Sequence, residues 1–248
     1  ANDPLGVCSI YQGREVVVTC PIRFRQDWII AEDAARFFFK KGTSWTSLTE
    51  VKLTDKHGGV AGNIDLVLVA YNPRGVIIDF GSLEIQAVYI SGNIRRPFEH
   101  YMTNRRRIKQ MNWSGPNFPK PDYLSSSRKR LVPQMLFKGG ILKAWGKKQA
   151  VALQRGFFET LPKLPTVESA NADIGWFLYD LKLDEKSKQL NLVHYKTVYT
   201  EFVPALQQMT TPEPGNVEAF VEVLQEKLDE KLDGNPPDAP TLTDIVIQ

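Results

Sequence analysis

Two adjoining apolar segments constrain the fold most. Residues 62–71 hold Ile64, Leu66, Val67, Leu68 and Val69, and residues 75–89 hold Val76, Ile77, Ile78, Leu83, Ile85 and Val88. Between them lies Asn72-Pro73-Arg74-Gly75, a turn signal: Asn bonds its own backbone, Pro presets φ, and Gly admits a positive φ. Two β-branched runs joined by such a turn read as a hairpin. The runs are apolar enough to be buried on both faces, yet Asp65 and Glu84 interrupt them. If the turn centres between Pro73 and Arg74, Asp65 faces Ser82. Glu84 is then its diagonal neighbour, about 7–8 Å away on the same face. Gln86 follows at i+2 and shares that face. A charge in such a strand is costly unless it is paired or bound to a metal. Two carboxylates and an amide suit a hard cation such as Mg²⁺, which takes oxygen ligands and keeps several waters.

The rest of the chain reads as α/β. Residues 28–39 show helical spacing in Ile29, Ile30, Ala34, Phe37 and Phe38, and Glu15 to Cys20 reads as a strand. Residues 47–53 lead into another strand, followed by a turn at 55–59. Residues 126–161 read as one or two helices, broken or kinked at Gly139-Gly140. Residues 173–183 and 190–199 read as paired strands turning at Glu185-Lys186-Ser187-Lys188. Residues 200–209 and 217–232 read as helices, the latter with Val217, Phe220, Val221, Leu224 and Leu228 on one face. That stripe is expected to be core, with a dimer surface as the alternative. The organisation expected is an amino-terminal segment, 1–26, and a single domain, 27–248.

Net charge is only +3, but it is unevenly placed. Residues 95–130 carry ten Lys/Arg against two acids, and residues 211–248 carry nine acids against two Lys. The basic stretch is loop-rich and interleaved with Phe98, Tyr101, Trp113, Phe118 and Tyr123, a composition that fits nucleic-acid binding. Lys138, Lys143, Lys147, Lys148 and Arg155 add further positive charge. There is no Walker loop or dinucleotide fingerprint. His57, His100 and His194 lack zinc spacing, and Cys8 and Cys20 alone cannot close a four-thiolate site. No apolar run of transmembrane length occurs, the first residues do not resemble a signal peptide, and two cysteines leave a cytoplasmic location as the default.

An Asp on one strand and Glu-x-Lys on the next marks the PD-(D/E)xK nuclease superfamily, and Glu84-Ile85-Gln86 is a Glu-x-Gln variant of it. The chain resembles restriction endonucleases of the NotI and EagI group. The resemblance is carried by residues 4–9, Cys20-Pro21-Ile22-Arg23-Phe24, Gly62-Asn63-Ile64-Asp65, Leu83 to Tyr89, Lys129 to Gln134, Trp145-Gly146-Lys147-Lys148 and Gly156 to Pro162. One departure is clear: the type member holds iron on four cysteines, and only Cys8 and Cys20 correspond here. Residues 1–26 thus look like the remnant of a Cys-rich knuckle, and bound iron is not expected.

The resemblance implies a central mixed β-sheet flanked by helices and Mg²⁺-dependent, site-specific cleavage of double-stranded DNA at a GC-rich palindrome. It implies that Asp65 and Glu84 ligate the ion, with the Ile85 carbonyl as a third oxygen. Gln86 stands where the superfamily usually has Lys and can orient the attacking water. Glu50 is an added acid from the upstream element, with Glu32 and Asp33 as weaker candidates. Arg95, Arg96, Arg105, Arg106, Arg107, Lys109, Arg128, Lys129 and Arg130 are the candidate DNA contacts, since Arg is the usual bidentate reader of guanine. A palindromic site implies a two-fold homodimer. The competing readings are a structure-specific repair nuclease of the same fold and a DNA-binding protein that has lost catalysis.

Overall fold

The computed structural model describes residues 8–92, 95, 99, 102–103 and 119–233. Its strands are β1 (Ser9–Gln12), β2 (Glu15–Val18), β3 (Trp45–Thr54), β4 (Val60–Tyr71), β5 (Ile77–Gln86), β6 (Tyr89–Ser91), β7 (Lys120–Asp122), β8 (Gln149–Gln154), β9 (Ile174–Leu183) and β10 (Leu190–Thr200). Six of them form one sheet in the order β10-β9-β8-β5-β4-β3. β8 runs parallel to both β5 and β9, and the other neighbours are antiparallel, so the sheet is mixed. β1 pairs with β2, and β6 with β7, in two small ribbons.

Both faces of the sheet are covered. Helix α1 (Ile29–Phe38) buries Ile30, Ala31, Ala34 and Phe37 in a cluster with Leu66, Leu68, Leu83, Ile85 and Phe177. A second helix, α2, spans residues 123–144 and packs Leu131 and Met135 with Val151, Leu153, Trp176 and Leu178. The short helix α3 (Arg155–Phe158) and helix α4 (Phe202–Thr210) add Phe157, Phe202 and Ala205 to that side. The result is a mixed sheet flanked by helices, as the sequence implies.

Three expectations change. Residues 149–154 were expected inside a helix reaching Phe158, but they form β8, buried along its whole length. A short apolar run buried on both faces has no alternation to distinguish it from a helix segment. Gly139-Gly140 does not break α2; the helix continues through it with two π-type turns, Ser127–Leu131 and Met135–Gly139. Pro133 lies between them, where its missing N–H and its ring disturb the ordinary i→i−4 ladder. The β4–β5 register also differs by two residues, pairing Val67, not Asp65, with Ser82. The loop is larger than a tight turn: Asn72 N–H donates to the Val76 carbonyl, and a bulge sits between Ala70 and Tyr71.

The described residues fall into two compact units that divide between Thr210 and Thr211. Helix α5 (Val217–Leu232) belongs to the second unit and starts as expected, capped by Asn216 through the N–H groups of Glu218 and Ala219. Its stripe of Val217, Phe220, Val221, Leu224 and Leu228 is not buried within its own unit.

Candidate active site

The site forms where β3, β4 and β5 lose their regular ladder. β4 alternates poorly around Asp65: Ile64 packs with Val67 and Val69 in one cluster, while Leu66 and Leu68 face another. The faces therefore exchange at Asp65, although the register with β3 is the same on either side of it. On β3 the register runs Thr49↔Leu66 and then Val51↔Ile64, which leaves Glu50 opposite Asp65 and outside the ladder. Glu50 has φ +53°, a left-handed conformation rarely adopted by a residue with a side chain. The β4–β5 ladder ends at Leu66↔Leu83, and just beyond it the Asp65 and Glu84 carboxylates are close enough to interact. Asp65 Oδ2 accepts the Ile85 N–H at 2.8 Å.

Glu84 is 2% exposed and Gln86 8% exposed. Both face α2, with Ser82 two residues before, because alternate residues of a strand share a face. Glu84 Oε2 accepts from Lys138 Nζ at 2.6 Å, while Glu84 Oε1 is buried with no hydrogen-bond partner among the described residues. Gln86 Nε2 donates to the Ala87 carbonyl at 2.7 Å. Burial pushes the Glu84 carboxyl up, to about 7; the Lys138 ammonium pulls it down, and the Asp65 carboxylate pushes it up again. Ser82 and Gln149, paired across β5 and β8, are buried with their side-chain polar atoms unpartnered among the described residues. They extend the polar row beneath α2.

Lys138 is the residue that sequence reading placed wrongly. It counted as one more surface charge, yet it is 3% exposed and also donates to the Asn63 carbonyl at 2.8 Å. A lysine ahead of Gly-Gly in a basic stretch carries no periodic signal of burial.

The model of the family Restriction endonuclease NotI matches residues 3–192. The chain belongs to the NotI restriction endonuclease family. It is thus a type II restriction endonuclease, a site-specific deoxyribonuclease that acts on double-stranded DNA. No curated protein matches it.

In this NotI-family chain, the hairpin brings Asp65, Glu84 and Gln86 together. Glu50 lies across the strand from Asp65 but is exposed, and no group of three or more His, Cys, Asp or Glu side chains suited to a metal occurs among the described residues. Glu32 and Asp33 are engaged elsewhere: both pair with Arg36, and Asp33 accepts from the Tyr179 hydroxyl at 2.8 Å. A surface cavity of about 540 Å³ between the end of α1 and β3 is lined by Glu32 but by none of Glu50, Asp65, Glu84 and Gln86.

Of the candidate DNA contacts, Arg96, Arg105, Arg106, Arg107 and Lys109 lie outside the described residues. Arg95 is exposed and pairs with Glu99 at 2.8 Å. Arg128, Lys129 and Arg130 are exposed on the first π-type turn of α2, and the Arg130 guanidinium stands 4.5 Å from the centre of the Tyr89 ring. The later basic residues are mostly spoken for: Lys143 pairs with Asp173, Lys147 with Asp79 and Arg155 with Asp180. Lys148 donates to the Phe37 carbonyl and lies 4.3 Å from the centre of that ring. No described helix is long and apolar enough to cross a membrane.

Proposed function

We propose that this restriction endonuclease is a PD-(D/E)xK enzyme of the Glu-x-Gln type that cuts a GC-rich palindrome with Mg²⁺, acting as a homodimer. The observation that carries the reading is the meeting of Asp65 and Glu84 at the end of the β4–β5 ladder, with Glu84 Oε1 buried and unpartnered. A buried carboxylate oxygen without a donor is costly, and a cation relieves that cost. The donors fit a hard divalent ion: two carboxylates, with the Ile85 carbonyl as a third oxygen and waters completing the shell. Such an ion, when bound, polarises a phosphodiester oxygen and lowers the pKa of its water.

The chain's own groups do the remaining work. Asp65 is oriented by its bond to the Ile85 N–H, so its second oxygen stays available. Gln86 offers amide dipoles that orient water but no positive charge. Glu50 adds an acid across the strand from Asp65, at a strained position of a kind that clusters at functional sites. Arg128, Lys129 and Arg130 contact DNA from α2, joined by Arg95, Arg96, Arg105, Arg106, Arg107 and Lys109. Base-edge contacts by Arg favour guanine, which suits a GC-rich site, and a palindrome calls for two-fold symmetry.

The test is digestion of a large GC-rich DNA with and without Mg²⁺, followed by sequencing of the ends. Discrete fragments sharing one GC-rich palindrome, formed only with Mg²⁺, are expected. Ends with no common sequence, or cutting that ignores divalent ions, would overturn the reading.

A further inference from the structure

We infer that Lys138 supplies the ammonium that Gln86 leaves missing from the carboxylate pair, holding a reacting water or a phosphate oxygen of the DNA. The proposal rests on the nuclease reading of Asp65 and Glu84 and adds a catalytic residue to it.

The ammonium is held from two sides. Lys138 Nζ donates to Glu84 Oε2 at 2.6 Å and to the Asn63 carbonyl at 2.8 Å. An ammonium has three donors, so the two acceptors leave one N–H for a ligand. Lys138 reaches this depth because the chain around it is pared back. At Gly139 a Cβ would stand 2.6 Å from the Phe202 ring and 2.8 Å from Gln149 Oε1, so only glycine lets α2 press this close to the sheet. At Gly62, φ is +132°, and an added Cβ would meet Lys138 Cδ at 3.5 Å, so the lysine stem lies over bare backbone. The residue sits in a π-type turn, a helix irregularity frequent at functional sites.

Stability does not require this arrangement. A buried ion pair exchanged for apolar side chains of similar volume is often neutral or stabilising. The charge is better explained by use: phosphodiester hydrolysis forms a P–O bond to water, breaks a P–O ester bond and leaves one water proton to the departing oxygen or to solvent. Negative charge grows on the phosphate oxygens on the way, and a fixed ammonium stabilises it.

The experiment compares full-length wild type with Glu84→Ala, Lys138→Gln and the double variant Gln86→Lys/Lys138→Gln. Single-turnover cutting of GC-rich DNA with Mg²⁺, Mn²⁺ affinity by electron paramagnetic resonance and thermal unfolding are measured for each. Glutamine at 138 keeps an N–H donor and removes the charge. Lys138→Gln is expected to cut at least ~100-fold more slowly, the scale of losing one transition-state donor, and to bind Mn²⁺ more tightly, since one positive charge has left the carboxylates. The double variant returns an ammonium to the Glu84 face and is expected to recover at least ~10-fold of the rate, about 1.4 kcal/mol of barrier. It also restores a counter-charge for Glu84, so it decides the matter if Lys138→Gln does not fold. A merely structural lysine would lower cutting and Mn²⁺ affinity together, and that result overturns the proposal. So does Lys138→Gln cutting within threefold of wild type while Glu84→Ala is inert, or a folded double variant with no recovery. Wild type that cuts no DNA removes the nuclease reading itself, an outcome distinct from the failure of Lys138 alone.

Discussion

Asp65 Oδ2 accepts the backbone N–H of Ile85 at 2.8 Å, so a side chain of β4 closes the ladder that the backbone leaves open. The bond serves both the fold and the site, and two substitutions separate the roles. Asp65→Asn keeps an acceptor oxygen for the Ile85 N–H but removes the charge. Asp65→Ala leaves that N–H unsatisfied beside a residue only 8% exposed, which costs about 1–3 kcal/mol. Urea unfolding is expected to show Asp65→Asn close to wild type and Asp65→Ala clearly less stable. Both are expected to lose cutting, because a neutral ligand cannot replace a carboxylate on a hard ion. An Asp65→Asn enzyme that cuts normally would remove Asp65 from the site.

The protonation of Glu84 gives a second prediction. Burial pushes its pKa from 4.5 up to about 7. The folded, metal-free protein therefore holds a proton that the unfolded chain releases, and this group's contribution to stability falls as pH rises from about 4.5 through 7. A divalent ion needs the ionised carboxylate and competes with that proton. Mn²⁺ affinity is expected to rise by about tenfold between pH 6 and pH 8, the change in ionised fraction for a group titrating near 7. In Glu84→Gln the dependence is expected to flatten. Equal affinities at the two pH values in wild type would count against Glu84 as a ligand.

Gly139 tests how closely α2 approaches the sheet. In a free helix, Gly→Ala is worth about 1 kcal/mol in favour of alanine. Here the new methyl would stand 2.6 Å from the Phe202 ring, and overpacking of this kind costs about 1–3 kcal/mol. Gly139→Ala is therefore expected to lower the melting temperature, and Gly140→Ala, where an added Cβ meets nothing within 4 Å, to leave it unchanged or raise it.

The hairpin and its carboxylates were legible because β-branched runs, a turn tetrapeptide and two misplaced charges form a pattern that local physics makes unambiguous. The register was not, because the loop through Val76 and the bulge at Tyr71 are tertiary choices with no sequence mark. β8 was missed because burial on both faces erases alternation. Lys138 was missed for a different reason. Its partners Glu84 and Asn63 are 54 and 75 residues away, and nothing near position 138 distinguishes a buried lysine from a solvated one. The same blindness counted Lys143, Lys147 and Arg155 as added positive charge when each has an acid of its own.

Arg130 offers the sharpest test of the α2 surface. Its guanidinium stands 4.5 Å from the centre of the Tyr89 ring, so the aromatic face fixes a side chain that would otherwise be free. A pre-ordered arginine loses less entropy on meeting a phosphate or a base edge. Two contact types are distinguishable by salt. If Arg130 meets a phosphate, Arg130→Ala weakens binding to every DNA sequence alike and lowers the slope of log K against log salt by about 0.9. If it reads guanine, the loss is about 1–3 kcal/mol on the cognate site and small on other DNA. Tyr89→Ala is expected to reproduce part of either effect by releasing the guanidinium, while Tyr89→Phe, which keeps the ring, is expected to bind as wild type. Binding curves at several salt concentrations, on cut and uncut sequences, decide between the two. An Arg130→Ala protein with unchanged affinity and unchanged slope on both DNAs would take this turn of α2 out of the interface.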